Sequence, residues 1–162
     1  MGKFNSPMSI AFDAAGHIVV VDCYNHRVQV LRYSDGAHVR TIGSRGSGNG
    51  QFNYPTGIAV DGEGNVAVFD NDNSRVQVHR LSDGAYIRTI GSKGRGNGQF
   101  GGELGGVAFD SEGNLLVVAD YNNVCKCCAT ATARMPAPSA AKEQAPANSY
   151  IPSRSMPPVT LL

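Results

Sequence analysis

Asp70-Asn71-Asp72-Asn73-Ser74-Arg75-Val76-Gln77-Val78 stands 48 residues after Asp22-Cys23-Tyr24-Asn25-His26-Arg27-Val28-Gln29-Val30. Asp, Asn, Arg and the Val-Gln-Val run return at the same offsets, while the residues between them change. Extended outward, the comparison pairs residues 4–51 with 52–99, and 29 of those 48 pairs are identical. Repetition at a period of this size means one structural unit used more than once, each copy burying its apolar flank against the next.

Turn signals divide the unit. In the second copy, residues 57–61, 65–70, 75–80 and 86–90 are short β-prone runs. Asp13 to Gly16 and Asp61 to Gly64 join a carboxylate that can accept from the backbone two residues on to a glycine that tolerates positive φ, closing the first hairpin. Ser34-Asp35-Gly36 and Ser82-Asp83-Gly84 place an Asp-Gly pair, the strongest short-range hairpin cue, at the third. Between them, Asp22 to Asn25 and Asp70 to Asn73 carry Asp and Asn at both ends of a tight connection, where their side chains are expected to cap backbone groups.

Strand character changes along the unit. Asn65 to Phe69 is apolar on both faces, as a strand sandwiched between neighbouring sheets requires. Arg75 to His79 alternates, which predicts one packed face and one wet face. Tyr86 to Ile90 is more polar, so burial should fade from inner to outer strand. Four strands per unit, stacked radially, predict an all-β, incomplete β-propeller built of four-stranded antiparallel sheets. The Asp-x-x-Asn-x-Arg-Val-Gln-Val motif, with Pro55-Thr56-Gly57-Ile58-Ala59-Val60-Asp61 before it and Gly98-Gln99-Phe100 after it, resembles the NHL repeat. With no Trp in the chain, the Trp-Asp signature of another propeller class is excluded.

The resemblance covers residues 2–123 and reaches a third unit as Val107-Ala108-Phe109-Asp110-Ser111-Glu112-Gly113-Asn114. That unit has single insertions between Phe100 and Val107 and between Gly113 and Asp120, with Glu103 near the place of Pro7 and Pro55. After Asn123 the motif fails. Val124-Cys125-Lys126-Cys127-Cys128 replaces the Arg-Val-Gln-Val strand, so the third blade should hold at most two inner strands. Residues 129–162 are rich in Ala, Pro and Ser and read as a disordered tail. The organisation is therefore blade 1 at 2–49, blade 2 at 50–97, a partial blade 3 at 98–123 and a tail at 124–162. All 20 glycines lie at or before Gly113, and the joint loss of glycine and motif suggests an end derived from a frame shift or alternative exon. The resemblance implies a six-bladed ring, which two and a half blades leave open. The chain then reads as a fragment, or as one that self-associates through its open blade edges.

Composition narrows the function. Residues 1–122 carry 10 basic and 12 acidic side chains and residues 123–162 carry 4 and 1, without the excess of a phosphate-seeking protein. No apolar run reaches the roughly 20 residues of a membrane span. The N-terminus lacks a signal-peptide pattern, and four scattered cysteines make no disulfide framework, which together suggest a cytoplasmic protein. Catalysis finds no support, since His17, His26, His38 and His79 fall on different turns and strands with no nucleophile at a matching repeat position. Cys125, Cys127 and Cys128 lack the paired spacing of a zinc site, and Asp70 to Ser74 lacks the glycine and glutamate of a calcium loop. Neither a metal nor another cofactor is expected. The Gly43 to Gly50 run has no helix behind it and reads as a flexible blade linker, not a phosphate loop.

Alternate connections of an up-and-down sheet share a face, which puts Asp22–Arg27, Asp70–Arg75 and the linkers Gly43–Pro55 and Gly91–Glu103 on one rim. That rim offers Tyr24, Arg45, Tyr54, Asn71, Lys93 and Arg95 as candidate partner-binding residues. Asp22, Asn25, Arg27, Asp70, Asn73 and Arg75 are expected to be structural, the arginines bonding to nearby carbonyls or to the aspartates. The resemblance implies a protein-interaction module or scaffold, such as the substrate-choosing part of a ubiquitin ligase, whose RING and B-box zinc domains this sequence does not contain. Single-stranded RNA on the rim is the alternative partner. A metal-dependent NHL lyase is a further alternative, and would need ligands from most blades of a closed ring.

Overall fold

A computed structural model describes residues 3–101, 105–121 and 124–130, with residues 119–121 and 124–130 described by their backbone alone. The first four strands, β1 (Pro7–Phe12), β2 (His17–Asp22), β3 (Arg27–Arg32) and β4 (His38–Ile42), form one antiparallel meander in that order. The next four, β5 (Pro55–Val60), β6 (Asn65–Asp70), β7 (Arg75–Arg80) and β8 (Tyr86–Ile90), repeat it. A parallel pair of two-residue strands, β9 (Ser92–Lys93) and β10 (Gln99–Phe100), closes the second linker. The third sheet contains β11 (Gly105–Phe109), β12 (Leu115–Tyr121) and β13 (Val124–Thr130).

β13 corrects the sequence expectation. The third blade has a third strand, paired with β12 from Tyr121 opposite Val124 to Leu115 opposite Thr130. Ladder bonds are made by backbone groups, so a segment of Val, Cys and Thr can occupy the slot without the Arg-Val-Gln-Val side chains. The tail expected to be disordered thus gives up residues 124–130 to a strand, while residues 131–162 lie outside the described residues.

The hairpin chemistry follows from the aspartates. Asp13 Oδ1 accepts from the N–H groups of Ala15 (3.0 Å) and His17 (2.7 Å), and Asp61 Oδ1 repeats this with Glu63 (2.9 Å) and Asn65 (2.8 Å). Asp110 does the same in the third sheet. At the third hairpin the Asp-Gly pair does turn the chain, but within a longer loop, residues 33–37, next to a register shift between Val30 and Leu31.

The sheets pack face to face. Val19, Val21, Val28, Val30 and Ile42 of the first meet Ile58, Val66, Val68 and Leu81 of the second, with Phe52 inserted from the linker. On the far side of the second sheet, Ala67, Phe69, Val76 and Val78 meet Leu115 and Val117, with Phe100 in the place of Phe52. Inner strands β5 and β11 run so close that a Cβ on Gly57 would lie 2.6 Å from the carbonyl oxygen of Gly105.

Burial peaks at the second strand rather than the innermost. All six residues of β6 are buried, while β5 is only partly so. The expected wet face of β7 is also closed, since Gln77 and His79 are as inaccessible as Val76 and Val78. The reason is the linker. Gln77 Oε1 accepts from Gly50 N (2.9 Å) and its amide nitrogen donates to the Gln51 carbonyl, while the His79 ring lies 5.4 Å from that of Phe52.

The glycine-rich linkers are likewise folded rather than open. Gln51 Oε1 accepts from Gly48 N (3.0 Å) and Gln99 Oε1 from Gly96 N (3.0 Å), winding each loop around an amide. Gly43 and Gly91 adopt φ of +87° and +79°, and a Cβ at either would overlap the ring of Phe52 or Phe100. Only glycine lets the aromatic plug seat there.

Candidate functional site

Asp22 and Asp70 end β2 and β6, and both are fully buried. Asp70 Oδ1 accepts from Asn53 N (2.6 Å), and Oδ2 accepts from Asn73 Nδ2 (2.8 Å) and Arg75 Nε (2.8 Å). Asp22 repeats the pattern with Asn5 N (2.7 Å), Asn25 Nδ2 (2.9 Å) and Arg27 Nε (2.8 Å). The carboxylates do reach backbone N–H groups, but those of the incoming chain rather than of their own turn. The 3-10 turn Cys23–Asn25 has no side-chain cap. Burial pushes the Asp22 carboxyl up. The Asn5 N–H, the Asn25 amide and the Arg27 guanidinium outweigh it and leave the group below 3.8.

Arg75 extends the clamp, its Nη2 donating to the carbonyls of Gly48 (2.8 Å) and Gln51 (3.0 Å), and Asn73 Nδ2 reaches Gly46 O (2.9 Å). The repeated Asp, Asn and Arg therefore fasten the linker between blades to the second turn of the next blade. They build the rim but do not furnish its exposed surface.

On that platform the first junction carries an aromatic group. Tyr24, exposed on its 3-10 turn, meets Tyr54 edge-on at 5.3 Å between ring centroids, and Tyr54 meets His26 at 4.5 Å. His26 is buried, with φ of 53°, and its Nδ1 accepts from Tyr54 N at 3.1 Å, which requires that nitrogen to be unprotonated. Burial, then the nearby Arg45, lowers the imidazole below 6.5, against the opposing pull of Asp72 and Asp70. Arg45 is exposed, and its backbone bridges Phe52 in parallel.

Three of the six rim candidates, Tyr24, Arg45 and Tyr54, thus converge around His26. Lys93, in β9, is the repeat equivalent of Arg45 one blade further on, and Arg95 is exposed in the same linker. Asn71 lies in the second turn, half-buried, its amide on Asp72 Oδ1 at 3.1 Å. The second turn differs from the first because Asp72 and Ser74 stand where Tyr24 and His26 do. Sequence reasoning passed over His26, Asn53 and Asp72. The available signal for His26 was its replacement by Ser74 in the second copy, beside an aromatic residue at Tyr54.

On the opposite face a cleft of about 400 Å³ between the first two blades is lined by Asp13, His17, Arg40, Glu63 and Arg80. Among the described residues no group of three or more His, Cys, Asp or Glu could hold a metal ion. The side chains of Cys125, Cys127 and Cys128 lie outside them. No helix among the described residues is long and apolar enough to cross a membrane.

The fold has many counterparts among solved structures. Over 76% of its length the chain is similar to an exported protein from Bacteroides fragilis, at 21% identity and a TM-score of 0.59, covering 32% of that protein. It is similar over 74% of its length to Kuenenia stuttgartiensis hydrazine synthase, at 13% identity, TM-score 0.55 and 31% of that chain. A β-propeller domain from Myceliophteria thermophila gives 12% identity and a TM-score of 0.53 over 74% of this chain and 34% of that one. The chain thus spans about a third of the length of these structures, and the likeness is one of fold. No curated protein matches the sequence. The NHL repeat family matches at residues 4–31 and 52–78, which span the first three strands and the motif turn of each of the two complete blades, so the chain carries two NHL repeats within part of a β-propeller.

Proposed function

We propose that the chain is a non-catalytic recognition module that holds a protein partner against the rim at the junction of blades 1 and 2. The observation that carries this reading is the group Tyr24, Tyr54 and His26 with Arg45 beside it, set on a hydrogen-bonded platform. Aromatic and arginine side chains on a rigid base are the usual anchors of protein interfaces, since they bury much surface at little entropic cost. The acidic Asp72 close to His26 favours a protein over a phosphate backbone, as does the net negative charge of residues 1–122. In a ubiquitin-ligase setting this rim would choose the substrate, and the zinc domains that transfer ubiquitin would come from elsewhere.

The test compares partners captured by the full chain and by Tyr24→Ala and Arg45→Glu variants, alongside single-stranded RNA titrations at low and high salt. A bound protein partner should lose about tenfold or more in affinity on Tyr24→Ala, while RNA binding stays weak. Tight RNA binding that falls steeply with salt, with protein capture indifferent to both substitutions, would contradict the reading.

A further inference from the structure

We propose that His26 is a proton-operated latch: with its ring neutral it ties the linker to the first blade's turn and assembles the Tyr24–Tyr54 surface, and on taking up a proton it releases Tyr54 and takes that surface apart. That a partner meets this surface rests on the rim reading; the latch itself does not.

The peptide between Asn53 and Tyr54 bridges two blades. Asn53 is fastened to the second, its N–H donating to Asp70 Oδ1 at 2.6 Å and its carbonyl accepting from Asp72 N at 3.1 Å. Tyr54, the next residue, is fastened to the first. Its N–H donates to His26 Nδ1 at 3.1 Å, and its ring meets the imidazole at 4.5 Å and Tyr24 at 5.3 Å between centroids. His26 and Tyr54 both hold left-handed backbone, with φ of 53° and 50°, a conformation that costs a bulky side chain and persists only where neighbours enforce it. Their repeat equivalents with the same backbone are serines, Ser74 at 51° and Ser6 at 49°. The first junction thus sets two rings against each other at positions that carry hydroxyls in the neighbouring copy, and one of the rings can take a proton.

A ring nitrogen that accepts from an N–H cannot also carry a proton. Protonation at Nδ1 sets two donors against each other inside the junction and leaves the Tyr54 N–H without its acceptor, so ring and linker must part. Besides the phenols of Tyr24 and Tyr54, the charges around the imidazole act in both directions. Burial weighs most against the proton, Arg45 of the linker opposes it too, and Asp72 and Asp70 of the second blade favour it. On its own turn Asp22 is occupied by Asn25 and Arg27, and burial pushes the Cys23 thiol up. The turn does not need the imidazole, because His26 N donates to Cys23 O at 3.0 Å just as Ser74 N donates to Asn71 O at 2.9 Å. The proton therefore acts on the junction and spares the turn.

Nuclear magnetic resonance of the labelled full chain between about pH 7.5 and about pH 5 tests the latch with no partner present. At the upper end the His26 ring should be the tautomer protonated at Nε2. On acidification the Tyr54 amide should follow the ring with the same midpoint, its protection against exchange falling about tenfold or more while the β6 amides hold. His26→Ser, the residue that the second blade carries, should leave the protection of Tyr54 unchanged by pH, and His26→Gln repeats the control in case the serine variant folds poorly. A Tyr54 amide that ignores protonation of the ring, a ring that stays neutral until the whole chain unfolds, or a response that survives in both variants would overturn the proposal. The rim reading is judged apart, since partner capture indifferent to Tyr24→Ala removes that reading and leaves the latch standing.

Discussion

Asp70 is buried, yet it is tied to three elements at once: its own turn through Asn73, the next strand through Arg75, and the incoming chain through Asn53 N. Replacing it with Ala leaves Arg75 half of a broken buried pair and strands a backbone donor. Such losses run to about 3–5 kcal/mol, and urea unfolding of Asp70→Ala should show a change of that order, whereas a change under about 1 kcal/mol would place the clamp outside the stabilising core. The two histidines lowered by burial, His26 and His79, give a second prediction. As pH falls below 6.5 the unfolded chain takes up protons that the folded one resists, so their contribution to stability is intact above that value and shrinks as pH drops toward the folded values. Melting at about pH 7.5 and about pH 5.5 should show the loss, and it should be smaller in His79→Gln. A melting point equal at both values would contradict it.

At the scale of elements, the repeat was legible because its turn residues act locally. An aspartate that accepts from the N–H groups two and four residues further on needs no distant partner, and Asp13, Asp61 and Asp110 behave as their spacing implies. What the sequence hid was tertiary. The alternation of Arg75 to His79 is that of a half-exposed strand, but Gly50, Gln51 and Phe52 of the linker entering the same blade cover its polar face, and pattern within a strand carries no trace of such a cover. The same holds for β13, where a strand formed without its motif. The rim residues could be nominated by topology, but the meeting of Tyr24, Tyr54 and His26 depends on a junction between units and had no periodic signal. Two predictions belong here. Amide exchange should be slowest in β6, whose residues are all buried, and faster in β1 and β8. Gly57→Ala should force β5 and β11 apart at the Gly105 carbonyl and destabilise by about 1–3 kcal/mol, with Gly62→Ala, which has open space around it, as the control. Equal effects of the two substitutions would mean that the inner strands do not approach as described.

For the whole molecule, what matters is that neighbouring sheets bury one another, since every site described above is a product of a junction. The rim cluster exists because the linker that enters the second blade folds over the first blade's turn. The measurement that tests this most directly is a set of methyl–methyl nuclear Overhauser contacts in the labelled chain. Cross-peaks should link the methyls of Val19, Val21, Val28 and Val30 with those of Ile58, Val66 and Val68, and a second set should link Val76 and Val78 with Leu115 and Val117. Sheets that show their internal ladders but none of these cross-peaks would contradict the account.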